Sequence, residues 1–208
     1  LNDVALTADG KRLATSSNDK TIRLWDVDTG RQLGKHQFVD PVPDALAFSP
    51  DGKTLAVGTR RRTVVLMDVG RWEPRATLDV GGAPRKLRFV AAGRHLLVGV
   101  RGVARWDVTT NQRVLTYKAK GRARGEFGAD ASGRVIAALS NRGLRVWRKG
   151  QADASELLVA ARGKDGTAVA VSPDGKRIAV GYITGELTIY DAETGKAAQR
   201  MAAHARPA

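Results

Sequence analysis

The acidic and imidazole side chains are the groups in this sequence that could act on a substrate or hold a metal. Seven aspartates fall into two recurring settings. Asp9, Asp51 and Asp174 each precede Gly-Lys, whereas Asp26, Asp68, Asp107 and Asp191 each follow Trp25, Met67, Trp106 or Tyr190. Paired carboxylates can perform general acid–base chemistry, and carboxylates with histidines can ligate a metal. The spacing points elsewhere. An Asp before Gly in a turn accepts hydrogen bonds from its own backbone, and the second set leads into turns such as Asp28-Thr29-Gly30 and Glu193-Thr194-Gly195. His36, His95 and His204 are scattered without metal-ligand spacing. The absence of cysteine excludes disulfides, Cys-ligated zinc, iron–sulfur clusters and a thiol nucleophile. There is no Gly-x-Ser-x-Gly or His-Glu-x-x-His pattern, and Gly81-Gly82 and Gly121-x-x-x-Gly125 lack the strand-to-helix setting of a phosphate loop. The expectation is a non-enzyme with no catalytic residue, cofactor or metal ligand.

The elements that carry these residues repeat. Gly10, Gly52, Gly93, Gly133 and Gly175 are separated by 42, 41, 40 and 42 residues, and each sits between two short apolar runs. Trp25, Met67, Trp106, Trp147 and Tyr190 follow these glycines by 13 to 15 residues. A period of this size indicates a repeat architecture. In the second unit the pattern predicts strands over 44–48, 54–58, 63–67 and 75–78, with Ser49-Pro50-Asp51-Gly52 and Arg60-Arg61-Arg62 as turns. In the fifth it predicts strands over 167–171, 177–180, 186–190 and 197–201. No sustained 3.6-residue apolar period occurs, so no helix longer than a turn is expected. The units span residues 1–44, 45–86, 87–126, 127–168 and 169–208, read as a single domain over 1–208.

Units of four strands with Trp-Asp closing the third strand resemble the WD40 repeat. The resemblance is carried by Thr21-Ile22-Arg23-Leu24-Trp25-Asp26-Val27-Asp28-Thr29-Gly30, by Ala47-Phe48-Ser49-Pro50-Asp51-Gly52-Lys53 and by Val171-Ser172-Pro173-Asp174-Gly175-Lys176. It implies an all-β fold, a β-propeller whose four-stranded antiparallel blades ring a channel. Five blades are visible. The expectation is a larger ring of about seven, truncated at one or both ends, because the chain starts with Leu1 inside an inner strand and ends with Ala203-His204, similar to the Gly-His that opens a following repeat. The resemblance also implies a structural role for Asp19, Trp25, Asp26, Trp106, Asp107, Trp147 and Asp191. In the family a His, a Ser or Thr, an Asp and the Trp form a hydrogen-bonded tetrad. Only the first unit keeps most of it, as Ser17 or Thr15 with Asp19 and Trp25. Later units carry Arg61, Val100, Asn141 and Thr184 at the Asp19 position and should rely on apolar packing and turn glycines. His36 is read as a surface loop residue, His95 as a surface or between-unit residue opening a strand, and Trp72 as an off-framework side chain open to solvent.

The net charge of +14 is uneven. Residues 1–44 carry 6 basic and 7 acidic groups, 45–86 carry 8 and 4, 87–126 carry 9 and 2, 127–168 carry 7 and 4, and 169–208 carry 5 and 4. In the resembled family, turns between the second and third strands emerge with the links between units on one face. That face would hold Arg60, Arg61, Arg62, Arg85, Lys86, Arg101, Lys118, Lys120, Arg122, Arg124 and Arg142, with Arg162 and Lys164, and few acids beyond Asp79, Glu126 and Asp165. The functional expectation is a protein–protein interaction scaffold that docks an acidic partner or a neighbouring domain there. The alternative is a polyanion or nucleic-acid module, which the 5% aromatic content disfavours because such grooves add stacking rings. A propeller enzyme is the remote alternative. No apolar run approaches the ~18 residues of a membrane-spanning helix. Similarity to bacterial WD40 proteins implies a cytoplasmic setting and neighbouring kinase, NTPase or other effector domains.

Overall fold

The computed structural model describes residues 1–118, 123–141, 143–148, 155–159 and 166–204; within these, the side chains of 123, 124 and 155–159 are left aside. Among the described residues, twenty strands form five four-stranded antiparallel sheets. The first contains β1 (Asp3–Leu6), β2 (Arg12–Ser16), β3 (Thr21–Asp26) and β4 (Gln32–Gln37). The second contains β5 (Pro43–Phe48), β6 (Thr54–Thr59), β7 (Thr63–Asp68) and β8 (Glu73–Asp79). The third contains β9 (Lys86–Val90), β10 (His95–Gly99), β11 (Val103–Asp107) and β12 (Gln112–Tyr117). The fourth contains β13 (Ala123–Ala129), β14 (Ile136–Ser140), β15 (Gly143–Trp147) and β16 (Ser155–Val159), and the fifth β17 (Gly166–Val171), β18 (Arg177–Tyr182), β19 (Glu186–Asp191) and β20 (Ala197–Ala202). In every sheet neighbours in space are neighbours in sequence. These are the expected propeller-type blades. The one helical piece among the described residues is the 3-10 turn Ala91–Gly93.

Sequence dictates the turns closely. Gly10, Gly52, Gly93, Gly133 and Gly175, the residues that set the period, all have left-handed φ between 67° and 90°. Only glycine takes that conformation without a Cβ penalty. Predicted and observed strands of the second and fifth sheets differ by one or two residues at most ends, the usual fraying of strand limits. β13 begins at Ala123, ahead of residue 127 where the repeat arithmetic divides the third and fourth units.

The chain forms two compact units, Leu1–Val100 with Ala104–Val114, and Arg101–Val103 with Leu115–Ala208. In the first, one apolar cluster joins Ala14, Ile22 and Leu24 of the first sheet to Leu46, Leu55, Val57 and Met67 of the second. A second cluster joins Val64 and Leu66 to Leu87, Phe89, Leu96 and Trp106. Alternate residues of β7 therefore enter two cores, and Val64, Leu66 and Met67 are fully buried. That explains why Thr63-Val64-Val65-Leu66-Met67 is continuously apolar after its first residue rather than alternating with polar residues. In the other unit, Ala137, Leu139, Leu144 and Val146 pack with Val169, Val171, Ile178, Val180 and Tyr190. Each such large apolar side chain contributes roughly 1.5–3 kcal/mol on burial.

Candidate protein-interaction surface

The densest described group of cations lies at the β6–β7 turn. Arg60, Arg61 and Arg62 are all exposed there, and Arg62 has left-handed φ of 70°. The β8–β9 link folds against the same turn: Val80 N donates to Arg62 O at 2.9 Å, and Arg62 Nη2 donates to Gly81 O at 2.9 Å. Gly58 leaves room for Pro84 of that link, whose Cγ would lie 2.8 Å from a Cβ at position 58. Exposed Arg85 and half-buried Lys86 follow. The turn and link of this unit thus share one end of the sheet, opposite the Asp51-Gly52-Lys53 turn. Arg101 and Lys118 are exposed within the other unit. Lys120, Arg122, Arg142, Arg162 and Lys164 lie outside the described residues, and so does the side chain of Arg124.

The acids near the turn differ from those read off the sequence. Arg60 Nη2 lies 3.3 Å from Asp44 Oδ1, and Arg61 pairs with Asp40. Both acids belong to the first unit in sequence, Asp40 on the link from β4 to β5 and Asp44 at the start of β5, but that stretch passes beside the β6–β7 turn, where Arg60 N donates to Val42 O at 3.1 Å. Counting acids by repeat window therefore leaves them out. Arg60 and Arg61 are partly neutralised cations, whereas Arg62 is held by a main-chain carbonyl.

The recurring aspartates serve the turns. Asp9, Asp51 and Asp174 accept 2.6 Å bonds from the hydroxyls of Thr7, Ser49 and Ser172, and also bonds from the backbone N–H of Lys11, Lys53 and Lys176. Asp26, Asp107 and Asp191 accept the N–H groups of Thr29, Thr109 with Thr110, and Glu193 with Thr194. These bonds hold all six carboxyls below the usual carboxylate range, led by the Thr or Ser hydroxyl at Asp9, Asp26, Asp51 and Asp174 and by backbone N–H groups at Asp107 and Asp191. Hydrogen bonding to the charged form is the physical cause. Among the described residues, no three potential metal-ligating side chains come together. His95 Nε2 is 3.8 Å from Asp107 Oδ2, but burial and then the nearby Arg105 push its pKa down, outweighing the aspartate. His36 belongs to strand β4 rather than a loop and meets Phe38 edge-on at 5.0 Å between ring centroids.

The framework tryptophans show how much of the tetrad implied by the resemblance is present. Trp25 Nε1 donates to Thr15 Oγ1 at 3.0 Å, so Thr15 rather than Ser17 is its partner. Asp19 instead accepts from Thr21 Oγ1 at 2.7 Å and pairs with Arg23 at 3.3 Å. In the fourth sheet Ile136 stands opposite Trp147 as Leu13 stands opposite Trp25, which places Ala138 where Thr15 would be. Trp147 Nε1 is accordingly buried without a hydrogen-bond acceptor among the described residues, and Trp106 Nε1 is also buried without one there. Tyr190 replaces the indole in the fifth sheet, and its hydroxyl bonds that of Tyr182 at 2.7 Å. Burial, then that bond, raises the Tyr182 pKa.

Three links between sheets were not legible in the repeat. Arg75 Nη2 donates to Val108 O at 3.3 Å. Arg148, standing where other repeats have Asp, donates through Nε to Ala192 O at 2.8 Å and through Nη2 to Glu193 O at 3.0 Å. Trp72, expected in solvent, is half-buried over Gly34, where a Cβ would lie 2.8 Å from its Cδ1. The missing side chain at Gly34 makes the slot that the indole fills.

Comparison with known proteins agrees with this architecture. A family model for the WD domain, G-beta repeat, matches residues 1–26. A model for the anaphase-promoting complex subunit 4 WD40 domain matches residues 132–207. Over 91 residues, 44% of the chain, the sequence is 32% identical to protein groucho of Drosophila melanogaster, and the chain spans 12% of that protein's length. Together with the five sheets, these matches support WD40 repeats and, in general terms, a protein-interaction scaffold. Proteins of this kind are typically non-catalytic.

Proposed function

We propose that the chain is a non-catalytic docking scaffold that receives a carboxylate-bearing segment of a partner protein on the arginine-rich end of its second sheet. The observation that carries this reading is the exposure of Arg60, Arg61, Arg62 and Arg85 on one turn and the link folded against it. Guanidinium groups bind carboxylates in paired hydrogen bonds, and packed sheets hold the turn as a rigid platform. The names of the matched families add support, since an anaphase-promoting complex subunit is by name a part of an assembly.

Fluorescence anisotropy with labelled hexaglutamate tests the reading. The 208-residue chain should bind it, hexaglutamine should not compete, and the triple variant R60A/R61A/R62A should lose at least about ten-fold in affinity, the size of two or three charge-assisted contacts. Equal binding of hexaglutamine, or an unaffected triple variant, would overturn the proposal. Preferential binding of single-stranded DNA of the same charge, weakening steeply with salt, would instead support a polyanion module.

A further inference from the structure

The link between the first two sheets and the start of β5 together read Phe38-Val39-Asp40-Pro41-Val42-Pro43-Asp44. This stretch is fastened independently of its charges. Phe38 is buried and its N–H donates to Lys20 O at 2.8 Å, Lys20 Nζ donates to Val39 O at 3.1 Å, and Pro43 is buried at the start of β5. Between these anchors Val42 O accepts the N–H of Arg60 at 3.1 Å. The segment is thereby laid along the β6–β7 turn, and its two carboxylates, four residues apart, meet two consecutive guanidinium groups: Asp40 pairs with Arg61, and Asp44 with Arg60 at 3.3 Å.

All four side chains remain open to water, the arginines at 50% and 71% exposure and each aspartate at 40%. Ion pairs this exposed are held weakly and exchange with solvent. We infer that the link is an internal pseudo-ligand. Arg60 and Arg61 form a receptor for two carboxylates, and the external partner is a proline-containing segment whose acidic residues are spaced like Asp40 and Asp44. The inference rests on the acidic-partner reading above and adds the spacing of the partner's acidic residues. A ligand with one carboxylate replaces one internal acid and leaves the other in place, whereas a ligand with two displaces both. Arg62, already bonded to Gly81 O, stands outside the receptor.

Competition by the link lowers the apparent affinity by the fraction of time the arginines are free. The probe is a labelled, end-capped peptide Val-Asp-Pro-Val-Pro-Asp, compared with the same peptide ending in Asn and with hexaglutamate. D40N/D44N should bind the two-acid peptide about five-fold tighter than the parent chain, as expected from removing two weak ion pairs. The one-acid peptide should bind at least about five-fold more weakly, and R60Q/R61Q added to D40N/D44N should abolish binding. The single variant D40N, with a circular dichroism spectrum matching the parent, should show part of the gain and serves if the double variant folds poorly. Unchanged affinity in both Asp variants, or equal binding of the one- and two-acid peptides, overturns the inference. If hexaglutamate still binds through the arginines in that case, the docking reading stands without it. If neither hexaglutamate nor the two-acid peptide binds any form of the chain, both fall.

Discussion

A buried indole N–H without an acceptor costs about 1–3 kcal/mol, while a satisfied one contributes about 1 kcal/mol net. Trp25 and Trp147 occupy the same register and differ in this respect, because Thr15 faces one and Ala138 the other. Two substitutions exchange their circumstances. Thr15→Val keeps the shape and removes the acceptor, and it should lower stability by about 1–2 kcal/mol. Ala138→Ser adds an acceptor beside Trp147 at the cost of one extra buried atom, and it should raise stability by about 0.5–1 kcal/mol. Urea unfolding of each variant measures both. A neutral Thr15→Val would mean that the Trp25 bond carries no net stability. The sequence shows that the later repeats lack the tetrad Asp, and Ala138 can be found by aligning the repeats. It does not show which of Thr15 and Ser17 Trp25 uses, because alternation gives both the same face and only the end of β2 at Ser16 leaves Ser17 outside the strand.

Packing between sheets rests on main-chain approach as well as on apolar side chains. A Cβ at Gly128 of β13 would lie 2.8 Å from Val171 N and 2.9 Å from Ala170 C and Cα of β17. Backbone atoms of a paired strand cannot step aside, so Gly128→Ala should cost about 2–3 kcal/mol, in the range of overpacked cores. Gly10→Ala meets nothing within 4 Å and faces only the strain of a φ of 72°, so about 1–2 kcal/mol is expected. Thermal unfolding of the two variants should rank them in that order, and equal losses would show that the sheets can separate slightly to admit a methyl group. Both glycines are visible in the sequence, but only Gly10 announces its reason, through the Asp-Gly-Lys turn that recurs at Gly52 and Gly175. The need for Gly128 comes from a strand more than forty residues away. The same distance hides the clasp of Arg148 on Ala192, and a shorter one, across the boundary between repeats, hides the ion pairs of Asp40 and Asp44. Periodicity reports what each repeat does in its own sheet, and it is silent on what one repeat does to the next.

At the scale of the whole molecule, the chain combines a charge of +14 with carboxylates that are held ionised by the fold. Asp9, Asp19, Asp26, Asp51, Asp107, Asp174 and Asp191 all titrate below the ordinary value of 3.8. For each, the unfolded chain takes up a proton at a higher pH than the folded one. Their contribution is therefore complete above the ordinary carboxylate range and is lost as pH falls through the folded values. His95 acts in a different window. Its folded pKa lies below 6.5, so the folded state keeps the ring neutral at pH values where the unfolded chain already protonates it. Stability should thus decline gently as pH drops from about 6.5 towards the folded pKa, then steeply below about 4, where protonated aspartates leave the positive charge less opposed. Urea midpoints across pH 3 to 8 measure the profile. His95→Gln should flatten the gentle decline and leave the acid collapse unchanged, while Asp9→Asn with Asp174→Asn should lower stability at neutral pH and soften the collapse. A midpoint that stays level to pH 3 in the parent chain would show that the turn carboxylates, although hydrogen-bonded in every repeat that has them, add nothing to the folded state that the unfolded chain lacks.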